Sequence, residues 1–216
     1  MALLSVWGIV LVVLGHSGFE EPIVAERLSG LHGWIYGFHM PLFFFISGYL
    51  FAYTNPDFAK IDAASFLWKK VRRLIVPYVV LGVILFVVKC AFSSLSHADR
   101  EFSALSFFRM FVAPGAVNST MGYLWYVFTL FVIFAAVVGL ASFGVDLKKL
   151  GHALALIFSS WMLKLLLPEI CLLNLSAVLW YLPFFVLGIG FYTYETRFFL
   201  PKSRILRGGE SRCSFC

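Results

Sequence analysis

Charged residues are scarce in this chain. Of its 216 residues, 13% are charged and 61% are hydrophobic, whereas a typical soluble domain has about 25% charged residues. So few charges cannot cover a surface that faces water, which excludes an ordinary soluble domain. The composition therefore predicts an integral membrane protein.

Acidic residues and cysteines are also few. The 17 Lys and Arg outnumber the 11 Asp and Glu, and the formal net charge is +6. The basic residues form short clusters beside apolar runs, as in cytoplasmic loops of membrane proteins, so we expect no nucleic-acid partner. Cys213 and Cys216 form a CxxC pair without a second pair or a nearby His, and we therefore expect no metal site.

Apolar segments that approach the length of a membrane helix, about 20 residues, recur along the chain. Lys and Arg are concentrated in alternate loops, and the positive-inside rule places these loops and both chain ends in the cytoplasm. Lys89 and Lys164 lie near the outer ends of their segments and are expected to extend to the interface, with no functional role. The six predicted spans are residues 2–15, 34–53, 74–92, 123–141, 152–167 and 177–194.

Two histidines lie near the predicted outer ends of the first two spans. His16 ends the first span and His39 begins the second, at similar predicted depth. Either one alone is readily explained as an interfacial residue. Together they are candidates for function, because a polar group in the membrane is costly unless it has a partner. Histidine is also well suited to accept a proton near neutral pH.

The second span contains a proline and a Ser-Gly pair. If its helix begins near Phe38, Pro41 lies in the first turn, where its missing N–H costs little. Ser47 and Gly48 form either a small-residue notch for close helix packing or part of a site. Because Ser47 lies about 12 Å from His39 along a helix, the two side chains cannot touch.

A basic cluster of Lys69, Lys70, Arg72 and Arg73 precedes the third span. One interpretation is an anchor to anionic lipid. The other is a phosphate-binding site, since Lys70 and Arg73 are three residues apart and are expected on one helical face. Composition alone favours the lipid anchor.

Several motifs occur in a specific order, and together they resemble the acyltransferase 3 family of bacterial inner-membrane enzymes. The resemblance runs through most of residues 5–194. The motifs are LVVLGH at residues 11–16, HMPLFFFISG at 39–48, Lys70-x-x-Arg73 before Pro77-Tyr78, LWY at 124–126 and WYLPFFVLG at 180–188.

The resemblance implies an all-α, polytopic bundle of about ten membrane helices with a cytoplasmic N-terminus, in the inner (plasma) membrane. It implies that His16 is catalytic and that Lys70 and Arg73 contact the acyl-CoA donor, usually acetyl-CoA. The implied acceptor is a hydroxyl of a glycan or lipid-linked sugar, as in polysaccharide O-acetylation. His39 and Ser47 belong to the second-span motif. We predict that His39 orients His16 or binds the acceptor, and that Ser47 binds substrate.

Two features differ from the family pattern. The chain begins inside the first span, and residues 195–216 form a polar, basic segment where further spans are expected. We therefore predict a partial acyltransferase domain at residues 1–194 and, at 195–216, a basic, polar cytoplasmic tail that departs from the family's expected continuation. The alternatives are a transporter or flippase fragment, in which intramembrane His residues also occur, and an inactive remnant of a truncated gene.

The predicted site has a geometric difficulty. His16 would be the general base at the outer end, while Lys70 and Arg73 would hold CoA phosphates at the inner end, about a bilayer away. Either the thioester reaches inward through the bundle, or the acyl group is relayed, or re-entrant structure brings the groups together. The sequence leaves these three routes open.

Overall fold

The structure is a computed structural model that describes residues 22–57, 61–91, 125–167 and 172–198. Within these ranges every regular element is helical, which confirms the all-α prediction. The predicted first span at residues 2–15, His16 and residues 199–216 lie outside the described residues.

Six α-helices are found in the described ranges, and two short irregular turns adjoin them. A π-helical turn, Val71–Ile75, joins the second helix to the third, and a 3₁₀ turn, Leu172–Asn174, precedes the last helix. The helices are α1 (Pro22–Thr54), α2 (Ala63–Lys70), α3 (Val76–Ala91), α4 (Trp125–Ser142), α5 (Leu150–Leu166) and α6 (Leu175–Phe198).

Three helical stretches in the described part of the chain are long and apolar enough to cross a membrane. They are Ala63–Val88, Trp125–Ser142 and Leu175–Phe198, and α5 is a shorter apolar helix. Large apolar side chains such as Val80 and Ile84 are exposed on their surfaces, as expected where lipid rather than water surrounds the protein. The chain is therefore a membrane helix bundle.

The helices extend beyond several predicted spans. The stretch that contains the predicted third span begins at Ala63 instead of residue 74, and it includes the basic cluster. The last helix continues to Phe198, into the segment predicted as a tail. Its final turns are held by local hydrogen bonds, such as that from Thr196 Oγ1 to the carbonyl oxygen of Tyr192 (3.0 Å).

The prediction that Pro41 lies in a first helical turn is wrong. Helix α1 begins at Pro22, and Pro41 lies inside it. Because proline has no N–H, the carbonyl oxygen of Gly37 cannot receive the usual hydrogen bond from the residue four positions later. The helix continues through this point, so one backbone hydrogen bond of α1 is missing near the start of the HMPLFFFISG motif.

The chain divides into two compact units. The first comprises Met1–Pro56 and Phe184–Cys216, and the second comprises Asp57–Pro183. The buried apolar side chains of the first unit are Phe44, Phe51, Ala52, Phe185, Val186 and Ile189. Those of the second are Tyr78, Leu130, Ile133, Phe134, Val137, Val138, Leu147, Ala153, Val178, Leu179 and Leu182.

In the second unit, the helical stretch that carries the basic cluster has a defined start and a local widening. Asp62 caps α2, because its Oδ1 accepts a hydrogen bond from the backbone N–H of Ala64 (3.2 Å). The π turn follows directly, and the N–H of Val76 bonds the carbonyl oxygen of Val71, five residues back. Such widened turns are rare and often occur at functional sites.

Left-handed backbone precedes α6. Leu173 has φ 52° and Asn174 has φ 54°. Asparagine tolerates this conformation, whereas leucine pays about 1–2 kcal/mol for it. The strain falls on Leu173, whose side chain is exposed, and the turn carries the polar side chain of Asn174 to the start of α6.

Candidate functional site

His39 is the most deeply buried of the predicted site residues that the structure describes. It lies on α1 in the first unit, and its side chain is 1% exposed. An imidazole so enclosed is not an interfacial residue in contact with headgroups. The interfacial interpretation of His39 is therefore wrong, and burial leaves it among the candidates for function.

Gly48 of the Ser47-Gly48 pair forms a notch for close helix packing, which is one of the two interpretations that the sequence allowed. A Cβ added to Gly48 would overlap the carbonyl oxygen of Phe185 and lie 2.8 Å from its carbonyl carbon. A Cβ on Gly188 would overlap the carbonyl oxygen of Phe45 and lie 2.8 Å from the amide nitrogen of Tyr49. The two glycines therefore let α1 and the last part of α6 pack backbone against backbone.

This contact joins two of the sequence motifs. Gly48 ends HMPLFFFISG and Gly188 ends WYLPFFVLG. The rings of Phe51 and Phe185 pack beside the notch, with centroids 5.9 Å apart. Ser47 is half-buried next to Gly48, and its role in binding substrate stays a prediction.

A tyrosine–carboxylate contact lies on the same helix pair and was missed by sequence reasoning. The hydroxyl of Tyr49 donates to Glu195 Oε2 (2.7 Å). The ring of Tyr192 stands edge-on to Tyr49 at 5.4 Å and to Tyr53 at 6.0 Å. The sequence signal was a single acid, Glu195, directly after a long apolar run, which we had assigned to the tail.

Lys70 packs against aromatic rings in the second unit. Its Nζ lies 3.9 Å from the ring centroid of Phe134 on α4 and 5.2 Å from that of Phe66. Both contacts fall within the range of cation–π attraction. Phe134 is near the middle of α4, so the ammonium group of Lys70 faces the middle of an apolar helix instead of its end.

Lys70 and Arg73 differ in exposure, since Lys70 is half-buried and Arg73 is exposed. The π turn begins directly after Lys70 and includes Arg73, and each of its residues turns the chain by less than the 100° of an α-helix. That the two side chains share one helical face stays a prediction. Lys69 and Arg72 are also exposed, and the Arg72 guanidinium lies 5.2 Å from the ring of Trp68.

The LWY motif packs against the WYLPFFVLG motif within the second unit. The rings of Trp125 on α4 and Tyr181 on α6 are 5.5 Å apart. Thr129, one turn after Trp125, is completely buried and accepts a hydrogen bond from Asn174 Nδ2 (2.8 Å). Side chains of α4 and α6 therefore meet where α4 begins.

Lys164 connects α5 to the same group of residues. Its Nζ on α5 donates to Ser176 Oγ, in the first turn of α6. The sequence did not predict this partner, and the expected position of Lys164 near the interface stays a prediction. Six residues lie where α4 begins, α5 ends and α6 begins, and together they form the far-end cluster: Trp125, Thr129, Lys164, Asn174, Ser176 and Tyr181.

No group of three or more His, Cys, Asp or Glu side chains that could hold a metal ion occurs among the residues the structure describes. The polar groups of the described sites are an imidazole, cations, hydroxyls, an amide and the carboxylate of Glu195. These groups bind anions and hydroxyls and can move protons.

The fold and these motif contacts define a membrane helix bundle whose interior carries histidine and lysine. A family model described as an acyltransferase domain matches residues 3–207. The chain therefore belongs to the acyltransferase 3 family. The match includes His16, His39, Lys70 and Arg73, and it continues beyond residue 194.

Two further comparisons gave no match, neither among curated proteins nor among solved structures. The family match identifies the chain as a membrane acyltransferase. It favours this class over the transporter or flippase fragment that the intramembrane histidines had left open.

Proposed function

We propose that this protein transfers an acetyl group from acetyl-CoA to a hydroxyl of a glycan or lipid-linked sugar, as a multi-pass enzyme of the inner membrane. The observation that carries the donor part of this proposal is the position of Lys70. A cation held on an aromatic ring against the middle of an apolar helix is costly unless it serves a function. Phosphates of an acyl-CoA are a suitable partner for it.

The basic cluster would hold the donor at two depths. Arg73 is exposed and presents a planar group suited to bidentate phosphate binding. Lys70 reaches deeper, and because an ammonium has three donors, the face of Phe134 does not use its full bonding capacity. Arg73 would bind one phosphate from its exposed position, and Lys70 would bind a second phosphate from its half-buried position.

In this proposal Lys70 holds the donor partway along an apolar helix of the second unit instead of at its end. Along α4, Phe134 lies about 14 Å from Trp125 at 1.5 Å per residue, which is about half of the hydrocarbon thickness. A thioester arm entering beside Lys70 therefore begins near mid-membrane. Of the three routes open from sequence, inward extension of the thioester is the one we propose.

The chemical step needs one base and a route for its proton. In the proposed mechanism His16 removes the proton of the acceptor hydroxyl, and the oxygen attacks the thioester carbonyl carbon. When the tetrahedral intermediate collapses, the C–S bond breaks and the imidazolium returns the proton to the CoA sulfur. The products are an acetyl ester and free CoA. His39 would orient His16 or bind the acceptor, and its burial fits a positioning role.

The first test is label transfer by the purified full chain in phosphatidylcholine nanodiscs. The substrates are radiolabelled acetyl-CoA and an extract of the host's glycans and lipids. His16→Ala is expected to lower transfer by about 10²–10⁴-fold, the usual contribution of a general base. Unchanged transfer in this variant would exclude His16 as the base. If the folded protein transfers no label to any fraction, the proposal that this chain transfers acetyl groups fails.

A second test concerns the donor. Lys70→Met and Arg73→Gln are each expected to raise the half-saturating acetyl-CoA concentration by about 10–100-fold, because each removes a charged hydrogen-bonding group. Lys149→Met, which replaces an exposed lysine at the start of α5, is the control. If all three variants had the same half-saturating acetyl-CoA concentration, the lipid-anchor interpretation of the basic cluster would be favoured.

A further inference from the structure

The far-end cluster combines polar and aromatic groups where α4 begins, α5 ends and α6 begins. Lys164 bonds Ser176, Asn174 bonds Thr129, and the ring of Trp125 packs on that of Tyr181. Each pair joins two different helices. The cluster lies at the helix end that the loop charges predict to face outward.

Several hydrogen-bonding groups of this cluster have unused capacity among the described residues. Asn174 Nδ2 donates to Thr129 Oγ1, while its Oδ1 makes no hydrogen bond within the described ranges. The indole N–H of Trp125 likewise has no acceptor among the described residues. Ser176 Oγ accepts from Lys164, and its own hydroxyl proton is free to donate.

The supporting groups hold this arrangement in place. Thr129 is completely buried, and its hydroxyl donates to the carbonyl oxygen of Trp125 (2.9 Å) while it accepts from Asn174. The left-handed backbone of Leu173 and Asn174 brings the amide to this point. Strain of this kind is retained where the surrounding structure requires a specific geometry. Thr129 is thus a positioning residue for Asn174.

We propose that the far-end cluster is the binding subsite for the sugar of the acceptor. Amide, hydroxyl and ammonium groups beside indole and phenol rings match the hydroxyls and apolar ring faces of a sugar. A lipid-linked sugar would bring its hydroxyls to this depth from the membrane. The inference rests on the proposed function, because it assigns a place to the acceptor of that reaction.

The location also suits the proposed donor path. The cluster includes Trp125 at the start of α4, about 14 Å along that helix from Phe134. Lys70 contacts Phe134, so donor and acceptor groups lie along one helix of the second unit. The thioester arm would extend from Lys70 toward this helix end.

The test compares dependence on acceptor and donor in the full chain, reconstituted in nanodiscs to avoid glycoside detergents that would compete for the subsite. Lys164→Met and Ser176→Ala are expected to raise the amount of host glycolipid extract needed for half-maximal transfer by about 10–100-fold. The half-saturating acetyl-CoA concentration is expected to change by less than about twofold, because donor contacts are untouched. Lys164→Arg retains the charge, so the amount of extract that it needs for half-maximal transfer is expected to be close to that of the wild-type protein.

Two variants serve as matched controls. Lys149→Met removes an exposed lysine at the other end of α5, and Ser159→Ala removes an exposed serine that bonds the carbonyl oxygen of Leu156 in its own helix. Both should retain the wild-type acceptor dependence. The proposal is overturned if Lys164→Met behaves like these controls. It is also overturned if that variant lowers only the maximal rate, or alters donor and acceptor dependence equally, because these results indicate a structural role.

A binding measurement separates this inference from the proposed reaction. Tritium-labelled host glycolipid is added to nanodiscs without acetyl-CoA, and retained label is counted. If the wild-type protein transfers no acetyl group but retains more glycolipid than Lys164→Met, the acetyl-transfer proposal fails and the sugar subsite stands. Equal retention by the two proteins overturns the subsite.

Discussion

Replacing Gly48 by alanine should destabilise the first unit in a specific way. The added Cβ would lie 2.8 Å from the carbonyl carbon and 3.1 Å from the Cα of Phe185. Since carbon atoms pack at about 3.5–4.0 Å, the helices must separate locally by roughly 0.5–1 Å, which forfeits a quarter to a half of the contact energy of each adjoining atom pair. The obstructing atoms are backbone and cannot rotate away.

The net magnitude follows from two opposing effects. Overpacking a core costs about 1–3 kcal/mol, and the obstruction by backbone favours the upper part of that range. Replacing glycine by alanine inside a helix returns about 0.5–1 kcal/mol. We therefore expect Gly48→Ala to lower the free energy of unfolding by about 2 kcal/mol, as the difference between these two effects.

The assay is unfolding in mixed micelles with increasing SDS, followed by circular dichroism. Gly190→Ala is the matched control, because a Cβ on Gly190 meets nothing within 4 Å. This control should gain about 0.5–1 kcal/mol through helix propensity. If Gly48→Ala were as stable as Gly190→Ala, the close backbone contact between α1 and α6 would be refuted.

Two further predictions concern single contacts. Tyr49→Phe removes the hydrogen bond to the Glu195 carboxylate and should cost about 1.5–3 kcal/mol in SDS unfolding, whereas Tyr53→Phe, at an exposed ring, should change stability by less than about 0.5 kcal/mol. Equal effects would show that the Tyr49 bond contributes nothing. Leu173→Gly relieves the positive φ and should raise the free energy of unfolding by about 0.5–1 kcal/mol. The control Leu165→Gly, inside α5, should lower it by about 1 kcal/mol. If both variants were less stable than the wild-type protein, strain at Leu173 would be contradicted.

The class of fold was predictable because apolar runs determine which segments can enter lipid. Helix ends were less predictable, since polar residues stop an apolar run without stopping a helix. Helix α1 begins at Pro22 and passes through Pro41, and α6 continues beyond Glu195, whose carboxylate has a partner in Tyr49. Such partners lie far away in sequence, so local pattern does not reveal them.

The site was predictable in composition and only partly in arrangement. The small-residue notch at Gly48 was one of two interpretations, but its counterpart Gly188 was not identified, because pairing between helices leaves no signal in either helix alone. Lys164 was dismissed for the same reason, since its partner Ser176 lies on the next helix. The contact of Lys70 with Phe134 was not predicted, because one widened turn leaves the pattern of apolar residues almost unchanged.

That widened turn has an angular consequence. Lys70 and Tyr78 both reach α4, the first at Phe134 and the second at Phe128. In a regular α-helix, eight residues at about 100° each would leave these side chains roughly 80° apart around the axis. The five π-helical residues turn by only about 80° each, which brings the two side chains to within about 20°. Deleting one residue from Val71–Ile75 would give seven α-helical steps, about 20° short of two full turns. The segment could therefore gain or lose one residue and still direct both side chains to the same neighbour.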